Sequence, residues 1–354
     1  MKIVEVQYEA RKLTLIEPYK IAYETIRSCE NVFLKIITDT GLIGHGCAAP
    51  DMGITHETAQ DVVHSIERDL KPLLLGELPF QRARFNHILK METASGSSCR
   101  CMMDIALCDL YSRKAQLPLY QFLGGFRHKI ATSITIGILP LHETLDKAKG
   151  YLGQGYKVLK LKGGLNMEED VERVSKLREQ FGRAFDLRFD ANQGYTIAQS
   201  IEFIEKTRNA SIEIFEQPTP THDSEAMAEV TQSVHVPVMA DESLRSLKDA
   251  FHITQNELAN MVNIKIQKVG GILESAHINS LAKGAGMEVM VGCLDESSLG
   301  IAAGLHFALS RPNIEFADLD GHLDLQDDPV KGLFKIEDGF MIPSQEHGLG
   351  NVTY

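Results

Sequence analysis

The chain lacks several signatures that would have fixed its class at once. It contains no CxxC pair, and its six cysteines (Cys29, Cys47, Cys99, Cys101, Cys108 and Cys293) lie in apolar surroundings. A thiolate metal site and a disulfide framework are therefore both excluded, and reduced buried thiols are expected. There is no excess of basic residues. Lys and Arg number 36 against 48 Asp and Glu, a net charge of −12, which argues against nucleic acid and against an anionic membrane surface as partners. No apolar run reaches membrane length, no low-complexity segment or flexible linker interrupts the chain, and no signal peptide precedes the strand-like MKIVEVQYEA. A cytoplasmic location is the expectation. At 354 residues the chain is long enough for one large domain and a smaller one.

Residues 1–50 alternate in the manner of a β-meander, with TDTG as a hairpin turn. The segment Glu17 to Glu30 shows no clear periodicity and is expected to be a loop. Residues 55–116 turn helical. THETAQDVVHSIERDLKPLLLG opens on Thr55 as an expected N-cap, and CRCMMDIALCDLYSRKAQ repeats apolar residues at helical spacing. Strands followed by helices suggest an α+β module. His45, His56 and His64 show no ligand spacing and are expected on the surface.

After LGGFRHKI the pattern changes. Short apolar runs recur, each followed by a helix-like stretch: SITIGI, KVLKLKG, DLRFDAN, IEIFEQP, VPVMADES, MVNIKIQ, EVMVGC and IEFADLD. Thr135, Lys162, Asp190, Glu216, Asp241, Lys265, Cys293 and Asp318, one near the end of each run, are separated by 24–28 residues. That interval is one strand plus one helix, and eight such units close a barrel. The fold class is α/β, and these positions fall at the C-terminal strand ends, where barrel active sites lie. The domains are expected at 1–125 and 126–324, with 325–354 packing back on the first.

Three neighbouring strand ends carry acids, and the strands on either side carry lysines. Converging carboxylates invite a hard divalent cation with oxygen ligands, which makes Asp190, Glu216 and Asp241 the candidate metal ligands and Mg²⁺ the candidate metal. Lys160 and Lys162 share one face of their strand. Their proximity is expected to depress the pKa of Lys162, the candidate base, while Lys160 tunes it and touches a substrate oxyanion. Lys265 is the second base, on the far flank. Asn192, Glu242 and Lys268 are expected to support this set from behind. Removing the α-proton of a carboxylate requires a metal and cations to hold the resulting enediolate. A base on each face would invert the α-carbon, whereas one productive base would give elimination or cycloisomerisation. Asp318 and Asp320, on one face at the last strand end, suit an ammonium group. Taken singly, each lysine has a bland reading as a solvated strand residue and each aspartate as a helix cap. The combination at barrel spacing carries the argument. The rivals are a non-catalytic metal-stabilised barrel and a Schiff-base aldolase using Lys162.

KLK, DANQG, FEQP, ADES and NIK, in this order and spacing, resemble the enolase superfamily, muconate-lactonising subgroup. CMMDIALCDLYSRKAQLPLYQFLGG is similar to that family's helix signature, and GITHET to its N-terminal region. The resemblance covers nearly the whole chain. It implies a (β/α)7β TIM-like barrel with an α+β capping domain formed by the N-terminal segment and the C-terminal tail. It also implies Mg²⁺ on Asp190, Glu216 and Asp241, and a base pair of Lys162 and Lys265. The DxD at the last strand resembles that of dipeptide epimerases, where it binds the α-ammonium group, and so carries that role to Asp318 and Asp320. Thr135 joins Lys160 among the substrate-binding residues. In Ala-Glu epimerases of the subgroup a capping-loop arginine faces the substrate glutamate. Glu24 stands there in this chain, which implies a cationic second residue. Cys47 departs from a glutamate common among relatives. The expectation is an isomerase that epimerises the C-terminal residue of an L,L-dipeptide, working as a homo-oligomer. N-acylamino-acid racemase, o-succinylbenzoate synthase and muconate cycloisomerase chemistry on the same scaffold are the alternatives.

Overall fold

The computed structural model describes residues 1–22 and 25–354. The chain opens with β1 (Ile3–Lys20), β2 (Thr25–Thr38) and β3 (Ile43–Ala48), an antiparallel meander. TDTG makes the expected turn, where the Gly41 N–H donates to the Thr38 carbonyl at 3.0 Å. Residues 17–20 and 25–30 of the expected loop belong instead to the outer half of a long hairpin, paired from Ile3↔Thr38 to Lys20↔Thr25 with register shifts between Ile3 and Glu5 and between Thr14 and Tyr19. Its periodicity is blurred because this half stands over the barrel rather than on the core of its own sheet. Main-chain bonds pin it there, from Ile16 N–H to the Asp324 carbonyl (2.7 Å) and from Ile138 N–H to the Lys20 carbonyl (3.0 Å).

The first helix starts at Ala59, capped by Thr58 rather than Thr55. Thr58 and Asp61 exchange side-chain and backbone bonds in a capping box, the arrangement a threonine three residues before an acid can make. Thr55 turns back on Asp51 instead. The helix Ser97–Lys114 is buried along most of its length against β3. Gly44 and Gly46 permit that approach. A Cβ at Gly46 would lie 2.0 Å from the Met102 carbonyl oxygen, and one at Gly44 would lie 2.2 Å from that of Ala106. His45, between them, is therefore buried rather than exposed, with Nδ1 3.2 Å from Asp109. His56 and His64 are exposed.

Eight parallel strands follow at the expected positions: β5 (Ile134–Ile136), β6 (Val158–Lys162), β7 (Asp186–Asp190), β8 (Ile212–Glu216), β9 (Val238–Ala240), β10 (Met261–Lys265), β11 (Glu288–Gly292) and β12 (Ile314–Asp318). They lie side by side in chain order. The ring closes where Thr132 bridges Ala317 and the Ser133 N–H donates to the Ala317 carbonyl at 3.1 Å. A helix follows each strand from β5 to β11, and the tail follows β12. Outward residues such as Leu159 and Leu161 meet the helices. Ile214, Met239, Met261 and Met290 form a separate cluster with Phe316. The barrel is thus a packed core with a site only at its mouth.

The tail touches both units. Its hairpin, β13 (Phe334–Glu337) and β14 (Phe340–Pro343), pairs with the short β4 (Ile130–Ala131) at the barrel entrance. Further on, the Leu349 N–H donates to Asp109 at 2.8 Å and the Tyr354 ring packs 5.0 Å from that of Phe33. Among the described residues no helix is long and apolar enough to cross a membrane.

Asp104 joins the helix Ser97–Lys114 to the barrel. Its carboxylate, fully buried, accepts two bonds from Arg82, one from Asn86 and one from the Leu273 N–H. Replacing it with alanine leaves a guanidinium and an amide unpartnered. Asp104→Ala is expected to destabilise the fold by about 3–5 kcal/mol, read as a lower urea midpoint. A midpoint equal to that of the parent would contradict this role.

Candidate active site

The side chains at the mouth get there by strand parity. Lys160 and Lys162 are two apart on β6 and enter the barrel together. Asp190 and Glu216 end β7 and β8, Asp241 follows β9, and Lys265 ends β10. Gly164, with φ +98°, lets the chain leave β6 close to the loop after β7. A Cβ there would lie 2.1 Å from the Ala191 carbonyl oxygen.

The acids and amines interlock. Lys160 is 1% exposed, and its Nζ sits 2.7 Å from Glu216, 2.8 Å from Asp318 and 3.1 Å from Asp190. Lys162 Nζ lies 2.7 Å from Asp190, and Lys265 Nζ lies 2.8 Å from Asp241. Lys268, one helical turn beyond β10, reaches back to the same carboxylate at 2.5 Å. Asn192 donates its backbone N–H to Asp190 (2.9 Å) and its amide to Glu242 (3.2 Å). Ser133 donates to Asp318 at 2.6 Å, and the Thr135 N–H to Asp320 at 2.6 Å. The structure thus brings together every site residue expected from the sequence except Glu24, which lies outside the described residues.

The electrostatics differ from the expectation in one respect. Burial alone would depress Lys160, but Asp318, Glu216 and Asp190 overcome it and hold its pKa well above the usual lysine range. Lys160 is therefore the cationic hub of an acid row rather than a repelled neighbour of Lys162. Lys265 is likewise raised, with Asp241 outweighing burial. Burial lowers Lys268. Glu216 is pushed up to about 8, first by burial and then by Asp190, with Lys160 acting against both.

The three acids also fit a divalent cation. Ligand oxygens of Asp190, Glu216 and Asp241 lie within 4.8 Å of one another. Glu216 Oε2 touches Lys160 yet accepts no hydrogen bond, and Glu242 Oε2 and Asn192 Oδ1 are also buried without a hydrogen-bond partner. Three hard oxygens facing one point suit Mg²⁺ geometry and leave room for substrate oxygens.

Above this floor lies a cavity of about 250 Å³, roofed by Tyr19, Ile21 and Ile26 of the β1–β2 hairpin. Residues 3–124 match the model for the mandelate racemase / muconate lactonizing enzyme N-terminal domain, and residues 143–353 match the enolase C-terminal domain-like model. The chain belongs to the mandelate racemase / muconate lactonizing enzyme family. Within it, the chain is 39% identical over 99% of both lengths to an L-Lys-D/L-Arg epimerase of Desulforapulum autotrophicum. It also matches two solved structures. One is the dipeptide epimerase of Methylococcus capsulatus complexed with Mg and L-Arg-D-Lys (33% identity, TM-score 0.94, all of both chains). The other is that of Enterococcus faecalis with Mg and L-Leu-L-Tyr (36% identity, TM-score 0.96, 99% of both chains).

The mouth holds further polar residues that sequence reading missed. Asn263 donates to Glu216 at 2.8 Å. It stands two residues before Lys265 on the same face of β10, so strand parity could have found it. Tyr19, Asp51, Asp295 and Asp324 also line the cavity. Asp295 sits just past β11, where the strand-end rule points. Tyr19 lay in the supposed loop and carried no signal.

Asp320 is pushed up to about 7, first by burial and then by Asp318 and Asp324. An aspartate whose native pKa is raised favours folding below its ordinary range, and that contribution is lost as pH rises toward 7. Asp320→Asn lacks this loss. The melting temperature of the variant minus that of the parent is expected to increase from pH 5 to pH 8. A flat or falling difference would show that Asp320 ionises normally.

Proposed function

We propose that this protein is a Mg²⁺-dependent dipeptide epimerase that inverts the α-carbon of the C-terminal residue of an L,L-dipeptide and prefers cationic residues. One observation carries the reading. Lys162 and Lys265 occupy β6 and β10, four places apart in an eight-membered ring, with Asp190, Glu216 and Asp241 between them. Two amines facing each other across a row of carboxylates can address both faces of one carbon. The alternative N-acylamino-acid racemisation, o-succinylbenzoate synthase and muconate cycloisomerisation chemistries on this scaffold act on substrates without a free α-amine and have no use for a further acid pair. Here Asp318 and Asp320 supply one, suited to an α-ammonium group. The relatives named above support both the dipeptide and, in two cases, the cationic preference.

In this reading Asp190, Glu216 and Asp241 hold the metal. A bound cation would supply positive charge against the substrate carboxylate. Lys160 steadies the same substrate carboxylate. One lysine removes the α-proton and the other delivers a proton to the opposite face. Thr135 lines the cavity and fixes Asp320. Asn192, Glu242 and Lys268 orient the acid row. The unit boundaries are set at 1–125 and 126–324, with 325–354 packed back on the first unit. A homo-oligomer and a cytoplasmic location belong to the same reading, the location supported by six free cysteines.

The test is α-deuterium incorporation from D₂O into an L,L-dipeptide library. Lys162→Ala and Lys265→Ala are each expected to lower epimerisation by at least 10³-fold. One of them should still exchange deuterium from a single stereoisomer. Full activity in either variant would remove the two-base scheme. Mg²⁺ is expected to raise the melting temperature saturably, and Glu216→Gln to weaken that response at least about 10-fold in apparent affinity. An undiminished response would place the metal elsewhere.

A further inference from the structure

The barrel interior carries a charged group that the acid row does not use. Arg188 stands two residues before Asp190 on β7, opposite Lys160 on β6, and is 4% exposed. Its neighbours belong to the barrel floor. The Met290 sulfur lies 3.6 Å from Nη1, and the Phe316 ring centroid lies 5.2 Å from the guanidinium carbon. A cation among such groups is costly unless it is paired and its donors are used.

Partners on two sides of the guanidinium offset that cost. Near the start of β8, Glu213 falls between Ile212 and Ile214, which pair with the consecutive residues Leu187 and Arg188. The extra residue makes a bulge, a device that re-aims a side chain, and Glu213 accepts from Arg188 Nε at 2.8 Å. On the other side Nη1 reaches the seam where β12 meets β5. It donates to the Ala317 carbonyl (3.0 Å) and to Ser133 Oγ (3.4 Å). A guanidinium has donors only, so Ser133 Oγ accepts in that contact and keeps its single proton for another partner. The Ala317 carbonyl lies 3.4 Å away and already accepts from Arg188 and from the Ser133 N–H. Asp318 lies at 2.6 Å and receives the bond on Oδ1, while its Oδ2 accepts from Lys160 at 2.8 Å. Against burial, Lys160 and the Ser133 hydroxyl hold the Asp318 carboxyl down at about 2. A chain of directed bonds thus runs from Glu213 and Arg188 through Ser133 to Asp318.

We propose that Arg188 is a positioning residue for the acid pair that takes the substrate α-ammonium: acting through the Ser133 hydroxyl, it sets the orientation of Asp318. The inference rests on the dipeptide-epimerase reading and deepens it. Asp318 lines the cavity, whereas Arg188 and Ser133 are buried behind it, so neither meets the substrate. With Lys160 alone the Asp318 carboxylate has one anchor and can turn about it. With Ser133 on the other oxygen its plane is fixed, and the fixed hydroxyl in turn depends on the donor behind it. Lys160 does not depend on this chain, since Glu216 and Asp190 hold it as well. Arg188 therefore bears on the amine end of the substrate rather than on its carboxylate end.

The experiment measures α-deuterium incorporation into L-Lys-L-Arg and into 6-aminohexanoyl-L-Arg, the same molecule without its α-amine. Arg188→Met keeps an unbranched side chain in the floor, and the Glu213 side chain it leaves is 29% exposed and retains water. Arg188→Met and Ser133→Ala are each expected to lower the ratio of kcat/KM for the dipeptide to that for its deamino analogue by about 10-fold, the scale of one hydrogen bond to a charged group. The loss should fall on KM for the dipeptide rather than on kcat. The double variant should lose less than about twofold beyond Ser133→Ala alone, because two links of one chain do not add. Should Arg188→Met not fold, Arg188→Lys takes its place with the same expected ratio, since an ammonium engaged with Glu213 has no fork with which to reach Ser133. An unchanged ratio in a folded Arg188 variant or in Ser133→Ala would overturn the proposal. So would equal losses on both compounds, or losses that multiply in the double variant; either marks Arg188 as a brace of the fold alone. If the parent enzyme exchanges both compounds equally, the ammonium role of Asp318 and this proposal fall while the two-base chemistry stands. If it exchanges neither, the cationic-dipeptide reading falls and the proposal with it.

Discussion

Three carboxylates in one buried place are the constraint on which the rest of this structure turns. Asp190, Glu216 and Asp241 are each at most 1% exposed, and their mutual repulsion is not relieved by solvent. The barrel answers with amines from strands on both sides. Lys160 is spread across Asp190, Glu216 and Asp318, and Lys265 and Lys268 share Asp241. Glu216 is nevertheless raised, by burial first and by Asp190 second. Three buried acids whose oxygens converge within 4.8 Å are the donor set a hard divalent cation takes. Structure and chemistry thus meet in one set of ion pairs.

How much of this was legible depended on whether a feature is periodic. The barrel was, because one strand plus one helix fixes an interval that eight runs keep. The acids and lysines at strand ends were readable for the same reason, since parity and strand order together place a side chain. The hairpin was not. Its outer half buries residues against a different domain, so the alternation that marks a strand on its own core is missing from Glu17 to Glu30. His45 was misread because its burial comes from Gly44 and Gly46 drawing β3 onto a helix some 60 residues later, which no local pattern encodes. Thr55 lost the cap to Thr58 because only the latter has an acid three residues on. The setting of Lys160 was not legible: sequence shows the like charge two residues away, but the three carboxylates that hold its pKa up come from β7, β8 and β12.

The division of labour across the molecule follows from stiffness. The acids and lysines of the row stand at or just past strand ends, where ladder hydrogen bonds and a packed barrel floor restrict their movement. Other polar residues of the cavity wall stand on the hairpin and on loops after strands, at Tyr19, Asp51, Asp295 and Asp324. Such positions tolerate exchange, since a loop residue can change charge without disturbing the ladder beneath it. Relatives that share this fold accordingly carry names with cationic and hydrophobic dipeptides.

The hairpin ties these two layers together. Asp324 bonds it through a main-chain carbonyl while turning its carboxylate to the cavity, and Tyr19 spans from its outer half to Asp295. Asp295 and Asp324 are therefore positioned by the same contacts that seat the roof. A change in the hairpin acts first on this cavity wall, whereas the acid row is held by ion pairs among the strand ends of the barrel itself.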